Sequence, residues 1–146
     1  MQRRGKALLI FCLLLLTLYS GCILAREIPF EDAALPESLP QRPLKPYCGV
    51  VIEQDKIFMA VHRGEKPTGG YAVEIFSIKE DYPGRITVKV RLIDPDPTDL
   101  VIQAFTYPSS TAVISRNYLI FKKPSFRFMA SDGHDLSAVG FRRLRE

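Results

Sequence analysis

Apolar and polar residues alternate along several short stretches of this chain, and this alternation constrains the fold more than any other feature. The clearest stretch covers residues 85–92, where every second residue is Ile, Val or Leu. A period of two residues is typical of a β-strand with one buried face. Further strands are predicted within residues 57–61, 71–78, 101–105, 112–115 and 126–128. No stretch of ten or more residues has a helical apolar stripe, so we predict an all-β fold.

Glycine and proline pairs separate the predicted strands. Gly69-Gly70, Pro83-Gly84 and Asp132-Gly133 have the composition of tight turns. Short strands with turns at this spacing predict a small antiparallel β-sandwich or barrel-like sheet of about seven to nine strands.

Residues 1–21 have the anatomy of a bacterial export signal. Three basic residues stand within the first six positions, an apolar run covers residues 7–18, and the small pair Ser20-Gly21 precedes Cys22. A lipoprotein signal needs small residues before a cysteine, whose thiol receives a diacylglycerol. We therefore predict lipid attachment at Cys22 and an extracytoplasmic, membrane-anchored protein of the bacterial cell envelope.

Two alternatives for the N-terminus stay open. Tyr19 stands where lipoprotein signals usually have Leu, and the apolar run can be extended to Ala25, close to the roughly 20 residues that span a bilayer. The first alternative is an uncleaved, single N-terminal transmembrane anchor, and the second is ordinary secretion. In each case the basic end stays inside and the rest of the chain faces outwards.

The basic character of the chain comes largely from the signal. Residues 1–21 contain three of the 20 Lys and Arg and none of the 16 Asp and Glu, so the remaining chain is nearly neutral. This balance does not support nucleic-acid binding. With Cys12 in the signal and Cys22 acylated, Cys48 has no partner for a disulfide, and its apolar neighbours predict a buried, inert thiol.

The chain divides into four segments. After the signal, residues 22–46 hold five of the 11 prolines and are predicted to form a proline-rich spacer. The folded β domain is predicted over residues 47–118. Residues 119–146 are predicted to add a C-terminal hairpin with Asp132-Gly133 at its tip.

Residues suited to catalysis or metal binding are scarce. His62 and His134 are the only histidines, and no nucleophile signature accompanies them. The aspartates at 94, 96 and 99 alternate with prolines and lack the glycine of a calcium loop, so a rigid, solvated turn is the better interpretation. We expect no cofactor, no metal and no enzymatic activity.

The run from Gly64 to Tyr71, Gly-Glu-Lys-Pro-Thr-Gly-Gly-Tyr, stands out among the loops. Pro67 fixes its own φ, whereas Gly69 and Gly70 can adopt conformations closed to other residues. One interpretation is a turn with strict conformational requirements, in which the Tyr71 side chain packs onto the core. The other is a protruding edge that recognises a protein partner, with Tyr71 as an amphipathic anchor.

This loop and a second run carry a resemblance to a known family. Residues 66–75 and the run Gln-Ala-Phe-Thr-Tyr-Pro at 103–108 resemble the C-terminal domain of the PrcB family, lipoprotein subunits of a bacterial surface protease complex. The resemblance covers roughly residues 48–118. Ser109 stands where the family usually has an aromatic residue.

The resemblance implies a non-catalytic accessory subunit that binds or stabilises a subtilisin-like protease. The protein-binding residues carried over to this chain are Pro67, Thr68, Gly69, Gly70, Tyr71, Gln103, Thr106 and Pro108. A second, fainter similarity links the 64–71 loop to chagasin-type inhibitors of cysteine proteases, in which an Asn-Pro-Thr-Thr-Gly-Tyr loop enters the active site. Here Lys66 replaces the Asn and Gly69 the second Thr. A loop-wedge inhibitor is therefore the alternative function.

Overall fold

The structure, a computed structural model, describes residues 25–119, 123–139 and 141–145. The predicted signal and Cys22 lie outside this range. The strands are β1 (Arg26–Glu27), β2 (Glu31–Asp32), β3 (Tyr47–Ile52), β4 (Lys56–His62), β5 (Ala72–Tyr82), β6 (Arg85–Ile93), β7 (Ser109–Ser115), β8 (Ser125–Ala130) and β9 (Phe141–Arg145). Short 3₁₀ turns at Arg116–Tyr118 and Leu136–Val139 are the helical elements of the described residues. Within this range no helix is long and apolar enough to cross a bilayer.

The strands form two sheets, in the orders β1-β5-β6-β8 and β2-β7-β4-β3-β9. Their pairings are antiparallel except for β6 with β8 and β3 with β9, which are parallel. The sheets are not closed into a barrel. The predicted all-β, sandwich-like fold is therefore confirmed.

The main core is built from the facing sides of the two sheets. In β6, the side chains of Ile86, Val88 and Val90 are fully buried, as the alternation predicted. They pack in one cluster with apolar residues of β3, β4, β5 and β7 and with Phe128 of β8. Burial of aliphatic and aromatic surface stabilises this arrangement by about 25 cal/mol per Å².

Strand β3 is buried on both faces. Cys48, Val50 and Ile52 join the main core, whereas Val51 faces a second, smaller cluster on the outer side of the sheet. Leu39 covers that outer side, so close that a Cβ on Gly49 would lie 3.0 Å from its methyl groups. Burial on both faces explains why this strand reads as a continuous apolar run without alternation.

The described part of the predicted spacer, residues 25–46, lies against both sheets. It contains β1 and β2, which pair with β5 and β7 respectively. Ile28 between them is buried in the main core, and Leu39 is buried in the outer cluster. Isolated apolar residues without a period direct this packing, which is why the sequence pattern did not show it.

The C-terminal segment differs from the predicted hairpin. Residues 130–134 do form a tight turn, with Gly133 at φ +92° and the amide of Ala130 donating to His134 O at 2.8 Å. However, β8 and β9 belong to different sheets and each runs parallel to its neighbour. The two strands of a hairpin must pair with each other, and β8 and β9 do not, because the connection that contains the second 3₁₀ turn leads from one sheet to the other.

A second prediction fails at residues 101–105, which form a loop and not a strand. A backbone hydrogen bond from Gly69 to Ile102 and an isolated bridge between Lys66 and Thr106, the residue that follows, link this part of the chain to a neighbour. Prolines at 95, 97 and 108 flank the stretch and limit its pairing with other strands.

Candidate functional site

Two loops meet at the end of the sandwich where β4 and β6 finish. The first loop joins β4 to β5 and contains residues 64–71, and the second joins β6 to β7 and contains residues 94–108. The backbones of Lys66 and Thr106 exchange two hydrogen bonds of 2.9 Å. The amide of Gly69 donates to the carbonyl of Ile102 at 2.8 Å. We call this pair of loops the paired loops.

Gly70 allows the loops to approach closely. Its φ is +82°, a conformation that strains every residue with a side chain. A Cβ at this position would lie 2.7 Å from Pro95 Cβ and 2.9 Å from Val101 Cγ1. Gly69 differs, because a Cβ there would meet Ile102 at ordinary contact distances of 3.5 Å or more. Of the two glycines, Gly70 is therefore the one that the loop geometry requires.

Side-chain hydrogen bonds add to the backbone pairing. The hydroxyl of Thr106 donates to the carbonyl of Thr68 at 2.8 Å, and the Tyr107 hydroxyl donates to Glu65 Oε2 at 2.5 Å. Hydrogen bonding to Glu65 raises the pKa of Tyr107. Thr106, a predicted binding residue, thus also fixes the shape of the first loop.

Tyr71 is held by two cations and is only partly exposed. The Arg63 guanidinium lies 5.4 Å from the centre of the Tyr71 ring, and the Lys66 ammonium lies 5.2 Å from it. Arg63 also donates to the carbonyls of Ala72 and Ile93 and forms an ion pair of 2.6 Å with Asp94. These contacts tie the ends of β4, β5 and β6 together, so Tyr71 lies within the base of the paired loops.

Three large apolar side chains project from the second loop. Leu100 is fully exposed, Ile102 is 76% exposed and Phe105 is 68% exposed. Val101 between the first two points towards Gly70. We call Leu100, Ile102 and Phe105 the apolar loop face. Sequence reasoning missed it because alternation around Val101 was interpreted as a strand; the three prolines around the stretch were the signal against that interpretation.

The structure brings the sequence-predicted binding residues together, since all of them lie on the paired loops. Pro67 and Gln103 are exposed, whereas Thr68 and Gly69 are half-buried between the loops. The carbonyl of Pro108 accepts a hydrogen bond from the Arg63 amide at 3.0 Å, which anchors the end of the second loop. Cys22, the predicted lipid-attachment residue, lies outside the described residues.

His62 and Cys48 line a cavity of about 190 Å³ beside the first loop. His62 is only 2% exposed and stacks on Tyr47 with ring centres 4.9 Å apart. Neither ring nitrogen of His62 has a hydrogen-bond partner among the described residues. Burial lowers the pKa of His62 to about 4 and raises the pKa of Cys48 to about 12. The histidine is therefore neutral at pH 7 and Cys48 is a protonated, buried thiol, as its apolar neighbours predicted.

The other residues considered for chemistry have structural roles. His134 is mostly exposed and contacts Asp132 at 2.9 Å. Asp96 accepts hydrogen bonds from Thr98, which lower its pKa, and Asp99 accepts one from the Asp96 amide. These are the contacts of a rigid turn. Within the described parts of the chain, no group of three or more His, Cys, Asp or Glu is placed to hold a metal ion.

Comparison with known families identifies the segment that carries the paired loops. A family model described as PrcB C-terminal matches residues 57–115, a range that contains β4 to β7 and the apolar loop face. Over this segment the chain matches the PrcB C-terminal family. The resemblance predicted from the two loop motifs is thereby confirmed. No curated protein and no solved structure matches the chain.

The match to the PrcB C-terminal family suggests a domain associated with a protease complex. The family is of the accessory-subunit type, which suggests a non-catalytic protein. It also suggests an extracytoplasmic location.

Proposed function

We propose that this protein is a membrane-tethered, extracytoplasmic protein-binding domain that acts as a non-catalytic accessory subunit of a surface protease complex. The observation that carries the proposal is the apolar loop face. Leu100, Ile102 and Phe105 expose large apolar surfaces on a loop inside the PrcB C-terminal segment. Exposed apolar groups clustered on one loop are typical of surfaces that bind a protein partner.

The rigidity of the paired loops supports binding. Association costs free energy when loops and side chains must be ordered, roughly 0.5–1.5 kcal/mol for each immobilised flexible side chain. Here the backbone contacts from Lys66 to Thr106 and from Gly69 to Ile102 fix the loop beforehand. A partner that covers Ile102 and Phe105 therefore gains apolar burial without ordering the loop backbone.

Polar residues are exposed on the same loop as the apolar loop face. Gln103 lies between Ile102 and Phe105, and Asp96 and Asp99 precede Leu100. Interfaces commonly combine a few central apolar side chains with a polar rim. We propose a protease subunit as the partner, because the segment matches a family associated with protease complexes.

The proposal can be tested by crosslinking the full chain in its native membranes and identifying the captured proteins. We expect a protease subunit to be captured, and we expect Phe105→Ser and Ile102→Ser to reduce capture by roughly tenfold or more. Tyr82→Ser is the matched control, because Tyr82 is an exposed aromatic residue at the opposite end of β5.

Two outcomes would contradict the proposal. In the first, the Phe105→Ser and Ile102→Ser variants capture the partner as strongly as the Tyr82→Ser control does. The other is inhibition of free cysteine proteases by the purified protein, abolished by changes within residues 64–71, which would favour the chagasin-type alternative.

The membrane tether is proposed to be a lipid on Cys22, because a basic start, an apolar run and Ser20-Gly21 precede it. In the structure β1 already begins at Arg26. The domain would then stand directly at the membrane surface. Labelling with radioactive palmitate tests this idea: label lost in Cys22→Ser supports the lipid, and unchanged label supports a different anchor.

A further inference from the structure

The end of the sandwich where β1 enters lies opposite the apolar loop face. Arg26 of β1 pairs with Glu80 near the end of β5, whereas Ala72 at the start of β5 pairs with Ile93 beside the second loop. Strand β5 has 11 residues, which corresponds to a length of roughly 35 Å. The predicted tether therefore joins the domain at one end, and the proposed docking loops lie at the other.

Arg26 connects the entering chain to two neighbouring turns. Its guanidinium forms an ion pair of 2.8 Å with Glu80, whose other carboxylate oxygen accepts a hydrogen bond of 3.0 Å from the Gly84 amide. The same guanidinium donates to the carbonyl of Tyr118. The carbonyl of Gly84 accepts a bond from the Ser125 amide at 2.7 Å. The β5–β6 turn, the first 3₁₀ turn and the start of β8 are thus held together where the chain enters.

The exposed side chains of this corner combine positive charge with an aromatic ring. Arg85 and Lys123 are exposed and line the same groove, and neither forms an ion pair with any described residue. No acidic residue of the described chain lines that groove. Tyr118 on the 3₁₀ turn is 45% exposed. We call Arg85, Tyr118 and Lys123 the anchor-side corner.

The acidic groups at this end do not balance that charge. The Glu80 carboxylate is paired with Arg26. Asp81 lines a separate groove together with Lys89. The two acidic residues of the β3–β4 turn, within residues 53–55, belong to the other sheet. The anchor-side corner therefore carries a net positive charge.

We propose that the anchor-side corner lies on the anionic surface of the membrane, and that this contact points the apolar loop face away from the bilayer. The inference rests on the proposed membrane tether, whether that tether is a lipid on Cys22 or an apolar helix. Four residues separate Cys22 from Arg26 and span at most about 14 Å, so the corner stays close to the bilayer. Tyrosine rings are enriched at the interface between lipid and water, and anionic headgroups attract cations.

The tether makes a weak contact sufficient. A domain held this close to the surface meets lipid headgroups at a high effective concentration. Each Lys or Arg near an anionic surface contributes roughly a fivefold preference, so two cations favour this orientation by roughly 25-fold. The tether retains the chain at the membrane in any orientation. Changes in the corner therefore alter the orientation and leave the attachment intact.

The test uses the full chain, with its native anchor, in lipid nanodiscs that contain a nitroxide-labelled headgroup lipid. NMR measures how strongly the nitroxide broadens each backbone amide signal. In discs with phosphatidylglycerol, we expect the broadening at Gly84 and Tyr118 to be at least roughly fivefold greater than at Ile102 and Phe105. In discs of phosphatidylcholine alone, we expect this ratio to fall by roughly twofold or more, because the attraction between charges is absent.

Charge-matched variants separate the corner from the rest of the surface. Arg85→Gln combined with Lys123→Gln removes two cations from the corner and should lower the ratio to its value in neutral discs. Lys45→Gln combined with Lys89→Gln is the matched control, because both side chains are exposed and lie outside the corner. This control should keep the ratio of the unaltered chain.

Three results would overturn the proposal: equal broadening at both ends of the domain, the same ratio in neutral and anionic discs, or equal ratios in the two double variants. Signals of the corner that broaden with rising protein concentration in discs without nitroxide would indicate contact with a second copy of the chain. That result would overturn the proposal as well.

Flotation of the full chain with vesicles separates these outcomes from failure of the tether. A chain that does not float with vesicles has no membrane tether, and both the tether and the corner contact are then wrong. A chain that floats but has no preferred orientation overturns the corner contact alone. The tether and the proposed docking function then still stand.

Discussion

Gly69 and Gly70 are neighbours in sequence, yet the structure assigns them different tolerances to substitution. Gly70→Ala places a Cβ against Pro95 and Val101 at a φ of +82°. A side chain at positive φ alone costs roughly 1–2 kcal/mol, so we expect a loss of about 2 kcal/mol or more in the free energy of unfolding. Urea denaturation measures this loss.

Gly69→Ala is the matched control, because its Cβ finds ordinary contacts and no positive φ. We expect a change within about 1 kcal/mol. Equal destabilisation by both substitutions would show that the Gly70 geometry described here is wrong.

His62 should make stability depend on pH in a defined window. Its pKa falls from 6.5 to about 4 on burial, so the unfolded chain binds a proton more readily than the folded protein between these values. The part of the free energy of unfolding that depends on a neutral His62 is therefore fully present above pH 6.5 and is lost as the pH falls towards 4. The shift corresponds to a loss on the order of 3 kcal/mol. Denaturant unfolding at a series of pH values measures it.

His62→Phe should flatten the stability curve between pH 7 and pH 4, since the ring stack on Tyr47 is kept and the titration is removed. His134→Gln is the control, because that histidine is mostly exposed. The lowered pKa values of Asp132 and Asp135 act in the same direction but below about pH 4, outside this window. If the free energy of unfolding of His62→Phe falls with pH as steeply as that of the unaltered chain, the pH dependence does not come from His62.

Several residue-level features could be predicted from the sequence. Cys48 is buried as its apolar neighbours indicated, and the residues of both loop motifs lie together. One of the two interpretations of the first loop had Tyr71 closing onto the core, and Tyr71 is half-buried. The placing of Arg63 and Lys66 against its ring could not be predicted. Such contacts are set by the tertiary structure and leave no periodic signal.

At the level of elements, strict alternation was a reliable guide. The predicted strand at residues 85–92 is β6, and the strand containing Ile57 and Met59 is β4. The strand prediction at residues 101–105 was wrong because the apolar side chains there have no facing sheet. The exchange of strands between sheets at β8 and β9 could not be predicted either, since a turn motif specifies a reversal but not the partner that follows it.

Leu39 tests whether residues 25–46 belong to the folded structure. This side chain is 2% exposed and covers Val51 and Ala60 on the outer face of the five-stranded sheet. Leu39→Ala should reduce the free energy of unfolding by about 2–4 kcal/mol, because it removes buried methyl groups and leaves a cavity. Thermal or urea unfolding of the variant provides the measurement.

Leu44→Ala is its matched control in the same segment, where the side chain is 74% exposed. A change within about 0.5 kcal/mol is expected there. If both variants unfold like the unaltered chain, residues 25–46 are a spacer after all and do not stabilise the sheet.

At the scale of the whole molecule, the family segment lacks part of the main core. Residues 57–115 supply β4 to β7, whereas β3 and β8 supply Val50, Ile52 and Phe128 to the same core. A chain restricted to residues 57–115 exposes that core and is short enough to be marginal in any case. We expect it to be unfolded by circular dichroism and by amide NMR dispersion.

The comparison for this experiment is residues 25–146, which contain every described strand. We expect this longer chain to unfold cooperatively. Cooperative unfolding of the 57–115 fragment would show that the flanking strands are dispensable and that the family segment folds alone.

The parallel pairing of β9 with β3 sets the order in which this fold can be completed while the chain is made from its N-terminus. Cys48 to Ile52 must wait for Phe141 to Arg145 to be synthesised before their second edge is paired. Contacts between such distant parts of the chain form slowly. During that delay an apolar strand presents an open edge, the kind of surface from which intermolecular β-pairing starts. The newly made chain is therefore most prone to aggregation in the interval between the synthesis of β3 and the synthesis of β9.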